Sequence, residues 1–457
     1  MSSDRHTKRP ARVTHSVLYR VGNRISRLPL FRDALARMPA RSRPALYFET
    51  YYNLGIGMMV ALFLLSQVVL KTILDGEEHH LALLAAMFGG SSLLSPLVSY
   101  IGRTVPMRRL IIVPNMIVAA LLFMTAMPWG GATLFTLTVG GAYIFRVFPR
   151  VAEMNMFRVL YPPTHRGAAV GWVKAIASTA GLTITVLGYW WFGFQPSAYW
   201  ALYAVVGFTL LFSTMSYAKI PISRKNVFAR EEKVHPYRAF MNGLKIFLAD
   251  KRFFLFQCGF ALAGTANHMA IVYVPEVLKE EIHASPQAIG LICAVIPAIL
   301  MTASSPFWGR YLDTTNPMTG RAVFNLMQGI AFGFHAYGGF SHQVWPFVVG
   351  AIIHSIANGG STINWLTGSL YFAKTENISL YNALHVGLTG VRGFLAPLIG
   401  LYLISDNALV LGPGLVLKGL NLGSGLFWVA TVLSLTGAAV MFLQGLTDPG
   451  PREKLPS

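Results

Sequence analysis

In the stretch FRVFPRVAE, residues 145–153, Arg146, Arg150 and Glu153 are spaced by four and three, which puts all three on one helix face. Guanidinium forks bind carboxylate and phosphate oxygens bidentately, so the chemistry on offer is anion binding. The stretch follows GGATLFTLTVGGAYI, an apolar run. Counted inward from Arg158 at 1.5 Å per residue, Arg150 is ~12 Å deep and Arg146 ~18 Å. In a hydrocarbon core about 30 Å thick, Arg146 is too deep to snorkel comfortably. A guanidinium there costs at least roughly 2.5–3.5 kcal/mol. A packing alternative stays open, in which Glu153 neutralises Arg150. It accounts for one arginine and not both.

Other apolar stretches carry further cations. Lys174 lies nine residues past His165. Arg392 stands in LHVGLTGVRGFLAPLIG, where Gly390, Gly393 and Pro397 also fit a carbonyl-bonding arginine at a kink. Asn267, His268, His354, Asn358, Asn364 and His385 add polar groups. Each histidine alone is more often a satisfied packing residue than a ligand. ANGGSTINW, residues 357–365, holds a glycine pair expected to bend or unwind its helix, and Trp365 either walls a cavity or packs in a core. None of the 18 acids falls near the middle of a span; Glu49, Glu153, Glu276 and Asp313 are near span ends. Several cations without a central carboxylate favour an anionic ligand. Sodium coupling through a midplane carboxylate is disfavoured. Proton coupling through histidine, with an ordinary pKa of about 6.5, stays open, as does anion exchange.

These residues need a membrane-spanning frame, and the composition supplies one. The chain is 54% hydrophobic and 12% charged, with a mean hydropathy of +0.52; a soluble chain is roughly 25% charged. Twelve apolar stretches are long enough to cross, each about 20 residues or more: 51–73, 80–101, 107–128, 131–155, 166–188, 196–218, 253–275, 286–310, 319–340, 344–371, 381–404 and 421–446. Runs of this length span as helices, because backbone groups in lipid must bond within their own segment. The expected fold is an all-α membrane protein of twelve transmembrane helices in two six-helix repeats. Its parts are a basic segment (1–50), a first half (51–218), a linker (219–252), a second half (253–447) and a tail (448–457).

With both termini inside, 30 of the 37 Lys and Arg fall on cytoplasmic segments. Lys71, Lys279 and Lys418 fall outside, and Arg146, Arg150, Lys174 and Arg392 lie within spans. The positive-inside rule then sets the orientation in a cytoplasmic (inner) membrane. The net charge of +19 is mostly this topology signal, and no nucleic-acid partner is expected. Residues 1–43 hold 11 Lys or Arg and two acids. They fit a helix on the anionic lipids of the inner leaflet, with a mitochondrial targeting peptide as the rival. The linker carries nine Lys or Arg, and Phe240, Leu244, Phe247 and Leu248 form one face of an interfacial helix. Cys258 and Cys293 lack metal-ligand spacing and fit as packing residues. No metal or cofactor is expected, and a monomer is the expected working unit.

The halves carry related loops. SPLVSYIGRTVPMRR stands between spans two and three, and SPFWGRYLDTTNPMTGR between spans eight and nine. Both begin Ser-Pro and reach Pro-Met before a basic residue. Internal repetition of this kind marks transporters with a midplane site between the repeats. Over residues 45–447 the chain resembles the major facilitator superfamily. The resemblance rests on the six-loop-six plan, the paired loops, and YPPTHRGAAVG after span four, similar to the family's Pro…Arg-Gly…Gly opening of span five. Gly309 and Asp313 match its Gly-x-x-x-Asp loop motif, with Arg310 between them. In the first copy Ser99 stands near the glycine position and Arg103 at the aspartate position. The resemblance implies a cytoplasmic gate at Arg103, Gly309, Arg310 and Asp313, with Gly309 allowing close approach at a tight turn. A solvated turn is the plainer alternative.

The function these features point to is secondary transport of a small anionic solute by alternating access. Arg146, Arg150, Lys174, Arg392, Asn267, His268, His354, Asn364, Trp365 and His385 are the candidate binding residues. A lipid or amphiphile flippase and a non-transporting membrane receptor are the alternatives. An enzyme is not expected, because no metal cluster, nucleophile elbow, phosphate loop or paired central carboxylates are present.

Overall fold

The computed structural model describes residues 39, 42–102, 104–127, 130–161, 163–220, 241, 244–245, 247–373, 378–406, 408–412 and 415–448. Twelve long helical segments fill them. In the first half these are α1 (Arg43–Thr72), α2 (Glu78–Gly90, continued through a 3-10 turn by Ser95–Ile101), α3 (Met107–Thr125), α4 (Gly131–Leu160), α5 (Pro163–Phe194) and α6 (Tyr199–Tyr217). The second half has α7 (Lys251–Ala270, continued by Val274–Glu280), α8 (Pro286–Gly290, a π-helical turn Leu291–Val295, then Ile296–Thr314), α9 (Pro317–Ser341), α10 (Trp345–Thr367), α11 (Ile378–Ile404) and α12 (Leu426–Leu446).

Ten of the twelve are long and apolar enough to cross a membrane on composition alone. The other two are α9 and α10. Their apolar content is diluted by polar groups turned inward, among them Arg321, Asn325, Gln328 and His335 on α9 and His354, Ser361 and Asn364 on α10, all buried. A two-stranded antiparallel hairpin, β1 (Ala408–Gly412) and β2 (Leu415–Lys418), connects α11 to α12. It was not expected, because the sequence there is a short apolar run broken by Gly-Pro-Gly.

Local chemistry sets several helix starts. The Asp250 carboxylate accepts from Phe253 N–H, Ser285 Oγ from Ala288 N–H, and Asn316 Oδ1 from Met318 N–H at 2.8 Å. Proline in the first turn of α1, α8, α9 and α10 costs no intrahelical bond. α1 starts at Arg43, eight residues before the predicted span, because Pro44 begins the helix rather than preceding it. The N-terminal segment before residue 39 and most of the 219–252 linker lie outside the described residues.

The two halves repeat one packing scheme. α1 packs on α5 and α6, α3 on α4 and α6, and α2 on α4. In the second half α7 packs on α11 and α12, α9 on α10 and α12, and α8 on α10. The halves meet chiefly where α2 packs on α11 along most of their lengths, with smaller contacts of α5 on α8, of α1 on α7 and α8, and of α2 on α7. Gly89 and Gly393 make the first contact possible. A Cβ on Gly89 would sit 2.5 Å from the Gly393 carbonyl oxygen, so the two backbones touch there.

One end of the bundle is closed. We call it the far end, since α1 begins and α12 finishes at the opposite, terminal end. At the far end Lys71 Nζ bonds Glu276 at 2.8 Å and Glu280 at 2.9 Å, and Lys279 bonds the Asp75 carboxylate and, at 3.0 Å, the Lys71 carbonyl oxygen. Each contact crosses from one half to the other.

Candidate solute-binding site

α4 carries the first set of charges. Arg146 is buried and makes a two-point ion pair with Glu153, Nη1 to Oε1 at 3.0 Å and Nη2 to Oε2 at 3.2 Å. The seven-residue spacing is two helical turns, which a long arginine bridges. Tyr52 of α1 donates its hydroxyl to the same carboxylate, and Asn115 of α3 donates to the Tyr52 oxygen at 2.8 Å. This network ties three helices together. It corrects the sequence reading in which Glu153 would neutralise Arg150: Arg146 holds that carboxylate with both oxygens.

Arg150 is thereby left over. Among the described residues it makes no ion pair, and its guanidinium lies 5.6 Å above the ring of Trp365 on α10 in the other half. It is also solvent-accessible. A side chain that is accessible and yet faces the opposite half lines a space between the halves. Lys174 of α5 is likewise accessible. It lies near enough to Glu153, Arg146, Arg150 and Glu49 to feel their charges. Glu49 is buried and accepts the Tyr161 hydroxyl at 2.6 Å.

In the second half, Trp365 donates to Thr389 Oγ1 at 3.1 Å, which fixes the indole. His385 is buried, exchanges a hydrogen bond with Gln257 at 3.0 Å, and sits edge-on to Phe260 with centroids 4.8 Å apart. His354 and Asn267 bond each other at 2.6 Å and so join α10 to α7. Asn364 is fully buried and donates to the Pro317 carbonyl at 2.9 Å, closing the α9 start onto α10. These three polar residues have partners within the protein. The Arg392 guanidinium donates to the Phe260 carbonyl oxygen at 2.8 Å, which is the carbonyl-bonding alternative. His268, on α7, is half-buried within Coulombic range of Arg392.

The Gly359–Gly360 pair does not unwind α10. A Cβ on Gly359 would meet Ser304 Oγ at 2.3 Å, and one on Gly360 would meet the Phe324 ring at 2.3 Å, so the pair lets α10 pack closely on α8 and α9. Gly309 sits inside α8 and not at a turn, and a Cβ there would meet only Ile363, at 4.0 Å. The close-approach reading of that glycine is therefore corrected. Arg310 is exposed near the end of α8. Arg103 and the side chain of Asp313 lie outside the described residues.

Sequence reasoning missed Tyr52 and Asn115, which look like ordinary span residues, and it missed Arg321. Arg321 follows Pro-Met in the repeated loop and was counted with the cytoplasmic charges. The structure places it a turn inside α9, 2% exposed and bonded to Ser361. The usable signal was Asn316-Pro317, a capping residue plus N1 proline that starts the helix four residues earlier.

Residues 256–457 match the family model described as Major Facilitator Superfamily. The matched stretch is the second half of the chain, which is similar to that family. Among solved structures, a point mutant of the nucleoside transporter NupG aligns with a TM-score of 0.66 at 11% identity, covering 88% of this chain and 99% of that one. A structure of proton-dependent oligopeptide transporters gives 0.63 at 13%, covering 88% and 98%. The xylose transporter XylE from E. coli, inward open, gives 0.59 at 14%, covering 87% and 95%. At these identities the likeness shows the shared fold. No curated protein matches the chain. The chain thus shares the many-helix fold of these solved transporters, and ten of its helices are long and apolar enough to cross a membrane.

Proposed function

We propose that the chain is a secondary transporter of a small anionic solute, bound in the space between its halves and moved by alternating access. The observation that carries this reading is the unequal fate of the two α4 arginines. Arg146 has a carboxylate partner, while Arg150 is accessible, lacks an ion pair among the described residues, and faces Trp365 across the divide. A cation inside the bundle that stays accessible and has no ion-pair partner among the described residues supports binding of a negative group. Lys174, accessible and close enough to feel the same charges, is the second cation proposed to meet the solute. Trp365 forms a flat apolar wall beside them. Arg392, His268 and His385 lie on the second-half side, and Asn267, His354 and Asn364 hold helices in place rather than touching solute. The proposed setting is a cytoplasmic membrane with both termini inside, the basic N-terminal segment on anionic lipid, and a monomer as the working unit. The test is a thermal-shift screen of anionic metabolites, followed by uptake into sealed vesicles holding the pure protein. Anions that stabilise the parent and not Arg150→Gln support the reading. Stabilisation by neutral solutes alone, with uptake indifferent to Arg150, defeats it.

A further inference from the structure

Tyr52 and Phe260 stand at the same offset from the starts of α1 and α7. So do Asn115 and Asn325 in α3 and α9. In the first half this position completes a neutral arrangement, because Tyr52 and Arg146 share the Glu153 carboxylate. In the second half Phe260 instead meets two guanidinium groups. Cζ of Arg321 is 3.9 Å from its ring centroid and Cζ of Arg392 is 5.1 Å from it. No carboxylate among the described residues pairs with either arginine.

Two like charges are therefore held together out of bulk water. Arginine stays protonated, so neither relieves the repulsion by losing a proton. Cation–π attraction and single neutral acceptors, Ser361 Oγ for Arg321 and the Phe260 carbonyl for Arg392, offset only part of the desolvation. Each arginine also keeps a buried Nε–H without a partner. Arg321 is 2% exposed, while Arg392 and the neighbouring His268 are half-buried, so the pair is reachable on the Arg392 side. Gly264 shapes the site: a Cβ there would lie 2.1 Å from Arg392 Nη1, so a larger residue would displace that guanidinium.

We propose that Arg321 and Arg392 form a second anion site, inside the second half, for a compact anion that accepts their free N–H groups. The site is separate from Arg150 and Lys174 and does not rest on their role. A compact anion has two sources, an inorganic ion from solution or the carboxylate of a solute. The experiment titrates the full-length purified protein with sodium chloride, and separately with sodium acetate, against the sodium salt of the bulky sulfonate MES at constant ionic strength, and follows the thermal unfolding midpoint.

A saturable rise with chloride, present in the parent and in Arg150→Gln, assigns an inorganic ion to the site. A rise with acetate alone assigns a carboxylate. In either case Arg321→Gln or Arg392→Gln raises the half-saturating concentration at least about tenfold, the worth of one charge-assisted bond. Gly264→Ala keeps both charges and moves one, so it also weakens the response, which covers the case that an arginine variant fails to fold. A parent that responds to neither anion overturns the proposal. So does a response that survives both arginine variants and Gly264→Ala, because the anion then binds elsewhere.

Discussion

Gln257 occupies in α7 the position that Glu49 occupies in α1, each at the same offset from the first residue of its helix. Glu49 accepts from Tyr161 at 2.6 Å, and Gln257 bonds His385 at 3.0 Å. The repeat keeps the hydrogen bond and drops the charge. The first half thus carries two buried acids, Glu49 and Glu153, near its cations, while the matching region of the second half is cationic and neutral. Glu49→Gln should make the halves alike here and remove a negative charge near Lys174. Anion affinity should rise by several-fold, worth roughly 1 kcal/mol at an effective dielectric near 20. Isothermal titration of a binding anion checks this; unchanged or weaker binding argues that Glu49 does not act on the site.

Arg146 and Arg150 should respond in opposite ways to truncation. Arg146→Ala leaves Glu153 buried without its cation, so it should destabilise the fold by about 3–5 kcal/mol, and Glu153→Gln should also be harmful. Arg150→Ala should fold normally and lose about 2–5 kcal/mol of anion affinity. Arg150→Lys keeps charge but not the planar fork and should fall between. Unfolding midpoints and binding measured on the same samples separate the two roles. Equal loss of stability in both alanine variants would make Arg150 a packing residue.

The far-end ion pairs should set the balance of states. Lys71 is buried against Glu276, so Lys71→Ala leaves that carboxylate uncompensated in the closed form and favours opening. A thiol placed beside Arg150 should then react with an impermeant reagent from the far end at roughly tenfold greater rate, a shift of about 1.4 kcal/mol. An unchanged rate would mean that packing alone closes this end.

The neighbouring pair should matter less. Lys279 holds the exposed Asp75 carboxyl below the usual carboxylate range, chiefly by hydrogen bonding. A lowered pKa in the closed state means the pair contributes above the free carboxylate value of about 3.9 and is lost as pH falls through the lowered one. Between about pH 5 and 8 the closure by this pair should be flat, and Asp75→Asn should shift it little, as for exposed pairs in general. A steep change in far-end accessibility across that range would have to come from another group.

Orientation is open to a direct check. With Cys258 and Cys293 replaced, a cysteine at Glu78, the first residue of α2 at the far end, should label from outside the cell. One at Arg230 should label only after the membrane is opened. The reverse pattern would invert the topology.

Much of the frame was legible because spanning helices must be long and apolar, and the repeat doubles that signal. α9 and α10 were legible despite their polar residues, since each still runs about 20 residues between turn signals. The charges were harder. Spacings of three, four and seven all fall on one helix face, so the sequence could not say which arginine takes Glu153. The choice is made by Tyr52 and Asn115, which reach the carboxylate from other helices. Arg321 was hidden by its place beside a loop, where a basic residue is the expected flank. His354, Asn267 and Asn364 read as ligands only because their partners lie on distant segments.

The touching backbones of Gly89 and Gly393 have a mechanical meaning. Each glycine is about 17 Å from the far end of its helix at 1.5 Å per residue, close to half the membrane's thickness. A contact with no side chain to interlock, placed midway, is a fulcrum with arms of nearly equal length. Rocking about it converts a few ångströms of parting at the far end into a similar approach at the terminal end. If the halves rock about this point, opening one end and closing the other are the same movement, and opening both together would require bending a helix.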